Sequence, residues 1–382
     1  MNYKWNIQEI IDDLNLLLTK YKNNDYCDKF KIIDGMSMTI LMLDSLDKNQ
    51  FYLSNKKTSE IIEEVTSIIK KEDMIDIEDD NNSYELKYDE STPNLLKKIF
   101  NMKTDNITED VFIDYDLEEF IAIIKEFLKT IDVDLYDLFC QQLSDEKINI
   151  IDRKDWKFPY IGSFFTVNQL KKSYITTPYE KYLSYLCGIV HEFAHMVNTI
   201  SIDYETIDDN FWDYVEIISL FMEQIFKLYL KEQSYIKEED YINSQMYLIN
   251  YTKDRARKLY DAVILDKIMK KTDSPEEIKS MLRNEYLFFS EEYLNDLLNN
   301  SIGSQMLYIT NQLMALQLFH YYKSNRKSGK EIVTTLAKMK SKEDLIKLNV
   351  SFDNDELYKY LVLFMNELQP KKIAYQSINK KI

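Results

Sequence analysis

Two of the three histidines of the chain lie four residues apart, in the segment His191-Glu192-Phe193-Ala194-His195. Four residues advance an α-helix by slightly more than one turn, so His191 and His195 share one face of a helix. Two imidazoles on one face can bind one metal ion. Glu192 follows the first histidine and can take a proton from a water molecule that the metal activates. This is the H-E-x-x-H spacing, in which the histidines bind zinc and the glutamate serves as general base.

The alternative interpretation of this segment is coincidence, because the motif is short and occurs by chance in long proteins. A single histidine on a helix is more often a core or surface residue than a ligand. With only three histidines in 382 residues, however, a pair at this separation is a rare accident. Burial of two imidazoles without partners would also cost free energy, and a metal ion removes that cost. We therefore interpret the segment as a metal site.

The flanking sequence predicts that the motif lies on a mostly buried helix. Thr176-Thr177-Pro178 offers an N-cap followed by a proline in the first turn, and no further proline occurs from Tyr179 to Thr199. Apolar side chains between residues 183 and 197 form a broad surface. We expect a helix over about residues 179–199, with its histidine face turned into a cleft.

A catalytic zinc needs a third protein ligand and one open position. His320 is the remaining histidine, but acids on the next predicted helix are better candidates. Glu216 and Glu223 lie seven residues apart in the segment from Phe211 to Leu230, which contains no helix breaker, so they share a face. A solvent-facing acidic stripe is the alternative. Beside the histidine motif, we favour a polar partner that faces both acids.

The composition favours a mainly α protein. The chain contains only 5 glycines and 5 prolines, which indicates long helices and short connections. Residues 148–152 and 163–168 resemble strands, and a small β-sheet beside the metal helix is expected there, with a loop rich in buried aromatics as the alternative. Residues 76–95 are polar and irregular. They predict a boundary between a domain of residues 1–90 and one of residues 91–382, or else one loop inside a single domain.

The net charge, the lengths of the apolar runs and the cysteine pattern limit the possible binding partners and the cellular compartment. A net charge of -17 argues against binding to nucleic acid or to an anionic membrane. No apolar run approaches the length of a membrane span, and the N-terminus shows no signal-peptide pattern. The three cysteines, Cys27, Cys140 and Cys187, form no paired motif, which is typical of a reducing compartment. We expect a cytoplasmic protein.

The motif and the downstream acids together resemble a known family. His-Glu-Phe-Ala-His followed by Asp-Tyr-Val-Glu-x6-Glu is similar to the metal region of the thimet oligopeptidase and oligoendopeptidase F family. The resemblance implies that His191, His195 and Glu216 bind one zinc ion per chain and that Glu192 is the general base. It implies that Glu223 orients a ligand histidine from outside the coordination sphere. It also implies a zincin-type helical fold with a cleft between two helical lobes.

The sequence departs from the family pattern at several positions. The motif glycine of the family is Ala194, and a histidine that usually follows the second ligand is Asn198. Tyr308 matches one of two family tyrosines that contact the substrate, and the resemblance implies that it donates a hydrogen bond to the oxyanion. The family histidine and the second tyrosine of this region correspond to Asn300 and Asn311. The chain is also shorter than family members, chiefly on its N-terminal side.

These observations predict a zinc-dependent metallopeptidase that hydrolyses peptides or short oligopeptides. Phe164, Phe165 and Asn198 are candidate substrate contacts, and Trp212 extends the same aromatic wall, with plain core packing as the alternative for the three aromatic residues. Two other functions stay open. One is a zinc-containing protein that binds peptides without cutting them. The other is a gluzincin protease of another lineage with a single protein or peptide target.

Overall fold

The structure is a computed structural model of the 382-residue chain. It describes residues 3–23, 29–45, 56–76, 90–104, 109–156, 162–202, 211–271 and 302–379, together with a few single residues between these ranges.

Among the described residues, six helices precede a small sheet and a seventh helix. In chain order these elements are α1 (Ile7–Lys22), α2 (Lys29–Ser45), α3 (Lys56–Asp76), α4 (Thr92–Phe100), α5 (Leu117–Ile131), α6 (Val133–Ser144), β1 (Ile148–Asp152), β2 (Ser163–Val167), β3 (Lys172–Tyr179) and α7 (Leu183–Ser201).

The rest of the described chain is helical. It contains α8 (Glu216–Glu232), α9 (Glu238–Met269), α10 (Ile302–Ser324), α11 (Ser328–Ala337), α12 (Lys342–Lys347) and α13 (Asn354–Asn379). The predicted mainly α fold with a small sheet is therefore confirmed. Among the described residues, no helix combines the length and the apolar character that crossing a bilayer requires.

The chain divides into two compact units that alternate along the sequence. The first comprises residues 1–83, 112–209 and 333–340, and the second comprises residues 84–111, 210–332 and 341–382. The predicted division into domains of residues 1–90 and 91–382 stays a prediction.

The sheet of the first unit has the strand order β1-β3-β2. β1 runs parallel to β3, and β2 pairs antiparallel with the other edge of β3. Both strand segments predicted from the sequence therefore form strands. α7 packs against β3, which precedes it closely in sequence and is buried over most of its length. The sheet thus lies directly against the helix that carries the histidine motif.

The prediction that Thr176-Thr177-Pro178 begins the metal helix is wrong. These residues belong to β3, and α7 begins only at Leu183, after Tyr182 in the N-cap position. Thr176 pairs with strands on both sides, and β-branched residues suit such a buried strand. Pro178 pairs only with Ile151 of β1, because β2 begins with Ser163 opposite Thr176 and does not reach Pro178. A residue without an N–H is tolerated where one neighbour is missing.

The N-terminal segment packs on the same sheet. Trp5 is buried, and its indole N–H donates to the carbonyl oxygens of Lys147 (3.1 Å) and Ile175 (2.9 Å). Its ring meets Phe165 and Tyr174 edge-on, at centroid separations of 5.7 Å and 6.2 Å. The core of the unit therefore joins β2 and β3 to the apolar faces of α1 and α2.

A cluster of charges sits beside this core. The ammonium group of Lys172 lies 2.8 Å from the Glu9 carboxylate and 2.6 Å from that of Asp13. Lys147 also pairs with Glu9, and its Nζ donates to the hydroxyl of Tyr174 (3.1 Å), which in turn donates to Asp13 (2.9 Å). Two acids and two lysines cancel in charge, so the cluster ties α1 to the sheet without leaving a buried net charge.

The second unit is a helical assembly. α8 packs against α10, α9 packs against α4, and α10 packs against α13. α8 is buried along most of its length, and Phe221 and Phe226 are fully enclosed. On α10, Leu313 and Phe319 are equally enclosed. Both α8 and α10 are therefore held rigidly by apolar contacts, which fixes the positions of any polar side chain they carry.

We predict that the Glu9 carboxylate stabilises the first unit at neutral pH and loses this effect in acid. Burial acts to raise the pKa of Glu9, but its hydrogen bonds and charge attraction to Lys147 and Lys172 outweigh burial, so the pKa lies below its ordinary value. The stabilisation is therefore present above the pKa of an unfolded glutamate, about 4.3, and disappears as the pH falls through the lower pKa of the folded state.

Glu9→Gln should lower the free energy of unfolding by about 1 kcal/mol at pH 7, because the carboxylate is partly exposed. The difference from the parent should shrink as the pH falls through the lowered pKa of the folded state. Urea denaturation at several pH values measures this. Asp12→Asn, an exposed position on the same helix, is the matched control and should have little effect. A Glu9→Gln deficit that is the same at pH 3 and pH 7 would contradict the ionic explanation.

Candidate metal centre

The two motif histidines converge on one point. His191 is half-buried and His195 is buried on α7, and their Nε2 atoms lie 3.1 Å apart. Two nitrogen ligands of one tetrahedral zinc ion lie about 3.3 Å apart, given zinc–nitrogen distances of about 2.0 Å. The pair is thus spaced as two ligands of one ion would be, as the i, i+4 spacing predicted.

Phe164 holds the ring of His195 in place. It lies on β2, and its ring stacks on the imidazole with a centroid separation of 4.4 Å and an interplanar angle of 19°. On the helix itself, Phe193 is fully buried and contacts Phe139 of α6 edge-on at 4.9 Å. α7 is therefore fixed by apolar packing, and a ring from the neighbouring strand restricts the rotation of one motif histidine.

Glu192 is buried, with only 7 % of its surface exposed, next to His191 in sequence. Fourteen of the 19 residues of α7 are buried, and Glu192 and His195 are the only two of them with ionisable acid or imidazole side chains. A carboxylate in such surroundings costs free energy unless polar or charged groups compensate it. The predicted role of Glu192 as proton acceptor is not tested by its burial and stays a prediction.

Asn198 lies one turn beyond His195 and is fully buried. Its amide nitrogen donates to the carbonyl oxygens of Leu336 (3.0 Å) and Ala337 (3.2 Å). These carbonyls belong to the last turn of α11, where backbone acceptors have no partner within the helix. Asn198 thus caps a helix end from the side. Its predicted contact with substrate is untested and stays a prediction.

Glu216 is the first residue of α8. The hydroxyl of Ser219 lies 3.2 Å from the Glu216 carboxylate and donates 2.9 Å to its backbone carbonyl. Because free N–H groups and the positive end of the helix dipole lie in the first turn, an ionised acid is favoured there. Glu216 is half-buried, so its carboxylate is partly accessible to a cation.

One ligand atom from each of His191, His195 and Glu216 lies within 4.8 Å of the others. Across the described parts of the chain, this is the one group of three such side chains that could hold a metal ion. Two imidazole nitrogens and one carboxylate oxygen form a donor set that zinc prefers, with a fourth position left open. His320 is elsewhere, 3.6 Å from Glu367.

Glu223 lies on the same line of α8 as Glu216, as their spacing predicted. One of its carboxylate oxygens is 3.6 Å from the ammonium group of Lys227, and both side chains are mostly buried. The lysine offsets the charge of this acid. The predicted role of Glu223, to orient a ligand histidine, is not tested by this contact.

Tyr308 lies on α10 in the second unit. Burial, together with the nearby carboxylates of Glu223 and Glu216, raises its pKa well above the ordinary value, although the positive charge of Arg255 opposes the shift. The hydroxyl is therefore protonated at neutral pH and can donate a hydrogen bond. The guanidinium of Arg255 lies 4.0 Å from the centre of the Tyr308 ring and also contacts Tyr251.

Sequence reasoning missed Arg255. Its spacing of four residues from Tyr251 on one helix was a local signal, but its contact with Tyr308 joins two helices that are far apart in sequence. Of the other residues predicted around the site, Asn311 is fully buried and Asn300 lies outside the described residues. Phe165 is part of the core beside Trp5, whereas the side chain of Trp212 is 46 % exposed.

The fold has counterparts among proteins of known structure. A Bacillus anthracis protein assigned as an oligoendopeptidase F matches with a TM-score of 0.53 over 96% of this chain and 70% of that chain, at 14% identity. PZ peptidase A, solved with an inhibitor, matches with a TM-score of 0.56 over 95% and 71%, at 12% identity. A further structure assigned as an oligoendopeptidase F gives 0.55 over 95% and 80%, at 13% identity.

The chain has the fold of these proteins. At identities this low, the likeness concerns fold alone. No family model matches the sequence, and no curated protein matches it at a significant level.

We predict that Glu216→Ala weakens zinc binding by about 100-fold or more, because it removes one of the three predicted protein ligands. Competition with a chromophoric chelator measures the dissociation constant. Glu239→Ala is the matched control, since Glu239 is also an acid in the first turn of a helix but is exposed, and it should leave the constant unchanged. Equal affinity in the parent and in Glu216→Ala would remove Glu216 from the site.

Proposed function

We propose that this chain is a zinc-dependent metallopeptidase that hydrolyses peptide bonds in peptides or short oligopeptides. The observation that carries the proposal is the approach of His191, His195 and Glu216 to within 4.8 Å of one another, with Glu192 between the two histidines in sequence. The fold shared with oligoendopeptidase-type structures is consistent with it. The cofactor is one zinc ion per chain.

The donor set agrees with this assignment. Two imidazoles and a carboxylate are borderline ligands that suit zinc better than magnesium or calcium, which prefer oxygen. When bound, zinc would polarise the scissile carbonyl and lower the pKa of a nearby water molecule. His191 and His195 would supply neutral nitrogen ligands, and Ser219 would keep the Glu216 carboxylate in position.

Glu192 would act as the general base and then as the general acid. Its carboxylate would accept a proton from the attacking water as the new carbon–oxygen bond forms. It would then deliver this proton to the amide nitrogen as the carbon–nitrogen bond breaks, so that the amine leaves uncharged. A buried position keeps the carboxylate away from bulk water, which would otherwise compete for the proton.

Tyr308 would stabilise the developing negative charge on the carbonyl oxygen. Its raised pKa keeps the hydroxyl protonated, and a donor aimed at an oxyanion often contributes roughly 3 kcal/mol to transition-state stabilisation. Arg255, stacked on the same ring, would add positive potential beside that oxygen. These two residues would therefore act on the transition state more than on the bound substrate.

The substrate would bind as an extended peptide beside β2. This strand pairs only with β3 among the described strands, so its other edge can accept backbone hydrogen bonds from a peptide. Phe164, on β2 and against His195, would line the position next to the scissile bond. The acidic chain carries a net charge of -17, which disfavours nucleic acid as a competing partner.

A second candidate is a zinc protein that binds peptides without cutting them. Asn311 favours it, because a buried amide stands where the resembled family has a second tyrosine. Glu192 in its buried position favours catalysis instead. A protease with a single target would cut that target but not a general peptide library, so a digest of such a library separates a general oligopeptidase from the other two functions.

We predict that Glu192→Gln retains zinc but loses nearly all cleavage of a peptide library. The amide has the size of the carboxylate but cannot accept the proton from water. The rate should fall by about 1,000-fold, near the middle of the range for loss of a general base. Zinc content and melting temperature serve as controls for folding.

Glu239→Gln, at an exposed position, should behave as the parent. Full activity in Glu192→Gln would mean that another residue is the base. Loss of activity when a chelator removes the metal, with recovery on adding zinc, is the accompanying expectation.

We predict that Tyr308→Phe lowers kcat by about 100-fold with little change in KM, because the hydroxyl interacts with charge that appears only in the transition state. Steady-state kinetics on any cleaved peptide measures both constants. Tyr321→Phe, an exposed tyrosine on the same helix, is the matched control and should change neither. A normal kcat in Tyr308→Phe would place the oxyanion donor elsewhere.

A further inference from the structure

Gly162 lies directly against the side chain of Glu192. It precedes Ser163, the first residue of β2, and faces the motif helix α7. A Cβ atom built on this glycine would meet three atoms of Glu192. It would lie 2.6 Å from Cγ and 2.8 Å from Cδ, and it would also collide with the oxygen Oε1. Contacts below 3.0 Å essentially never occur for a real Cβ atom, so one of the two groups would have to move.

Position 162 requires glycine because a side chain has no room there. No described glycine has a positive φ angle, so backbone conformation does not call for glycine at this position. Nor is the conflict limited to the flexible end of the glutamate. Cγ is the second carbon of the side chain, and moving it requires a different χ1 rotamer, which displaces the whole carboxylate.

The surroundings of Glu192 make such a displacement consequential. The side chain is buried, and α7 is fixed by the contact of Phe193 with Phe139. Phe164 of β2, two residues after Gly162, stacks on His195. The short segment of residues 162–164 therefore restricts both the side chain of Glu192 and the ring of His195.

We propose that Gly162 is a positioning residue, whose missing side chain creates the space that holds the Glu192 carboxylate beside the two histidines. The consequence for catalysis rests on the function proposed above, whereas the steric contact does not. Any side chain at position 162 would push the carboxylate away from the point where a proton is transferred. Misplacement of a catalytic group by about 1 Å can cost about 100-fold in rate.

The contact is tested by a thermodynamic cycle that needs no activity. Gly162→Ala, Glu192→Ala and the double variant are compared with the parent by thermal unfolding. In the parent background, Gly162→Ala should lower the melting temperature by about 2–5 °C because of steric overlap. In the Glu192→Ala background the overlapping atoms are gone, and the same substitution should leave the melting temperature unchanged or slightly higher.

If Gly162→Ala lowers the melting temperature equally in the parent and in the Glu192→Ala variant, the proposal is overturned. Glu192 would then not be the group that requires space. If Gly162→Ala alone does not fold, recovery of folding in the double variant supports the proposal, and failure of the double variant to fold overturns it. Gly329→Ala is the matched control. There an added Cβ would lie 2.9 Å from the ring of Tyr322, so its loss of stability should be independent of Glu192.

Kinetics and metal content then test the consequence. Gly162→Ala should lower kcat by about 100-fold while KM and zinc content stay within about threefold of the parent. Gly329→Ala should leave kcat unchanged. A normal kcat in Gly162→Ala would overturn the positioning role. If the parent itself cuts no peptide, the function proposed above fails, but the unfolding cycle still decides whether Gly162 makes room for Glu192.

Discussion

The structure depends on one constraint, which is that a mostly buried helix must keep three polar side chains close together. α7 buries 14 of its 19 residues, yet it places His191, Glu192 and His195 together with the two Nε2 atoms 3.1 Å apart. Such a group is unfavourable in apolar surroundings unless a cation or a proton is shared among its members. The carboxylate of Glu216, within 4.8 Å of both imidazoles, supplies negative charge for a cation. The proposed divalent ion would therefore explain why these groups lie together in buried and half-buried positions.

The remainder of the first unit keeps this helix and its side chains in position. β3 lies against α7, and β2 adds Phe164 on one imidazole and Gly162 on the glutamate. The sheet is in turn held by the hydrogen bonds of Trp5, just before α1, and it is fixed to α1 by the charge cluster around Lys172. In the second unit, apolar packing of α8 and α10 fixes Glu216 and Tyr308. Apolar packing therefore holds each of these polar side chains in a fixed position, as a preorganised site would require.

Local patterns in the sequence were sufficient for the helical parts of this arrangement. The shared face of the two histidines and the common line of Glu216 and Glu223 follow from helix geometry alone. The scarcity of glycine and proline predicted the mainly α fold. Thr176-Thr177-Pro178 was assigned to a helix start because its local signal suits a cap, whereas strand pairing with β1 and β2 determines its conformation.

Contacts between distant segments could not be predicted in this way. The space that Gly162 leaves for Glu192 joins a strand to a helix about thirty residues later, and neither residue type signals it. Similarly, the stacking of Arg255 on Tyr308 joins α9 to α10. The amide of Asn198 donates to carbonyls at the end of α11, a contact that its residue type did not indicate. Such roles depend on tertiary neighbours and not on residue type.

Crystallography of the zinc-loaded chain, with anomalous diffraction measured on both sides of the zinc absorption edge, tests the central claim most directly. The account predicts one strong anomalous peak per chain. It should lie about 2.0–2.2 Å from a nitrogen of His191, a nitrogen of His195 and a carboxylate oxygen of Glu216. A peak that contacts neither histidine, or crystals with full zinc loading at other residues only, would contradict it.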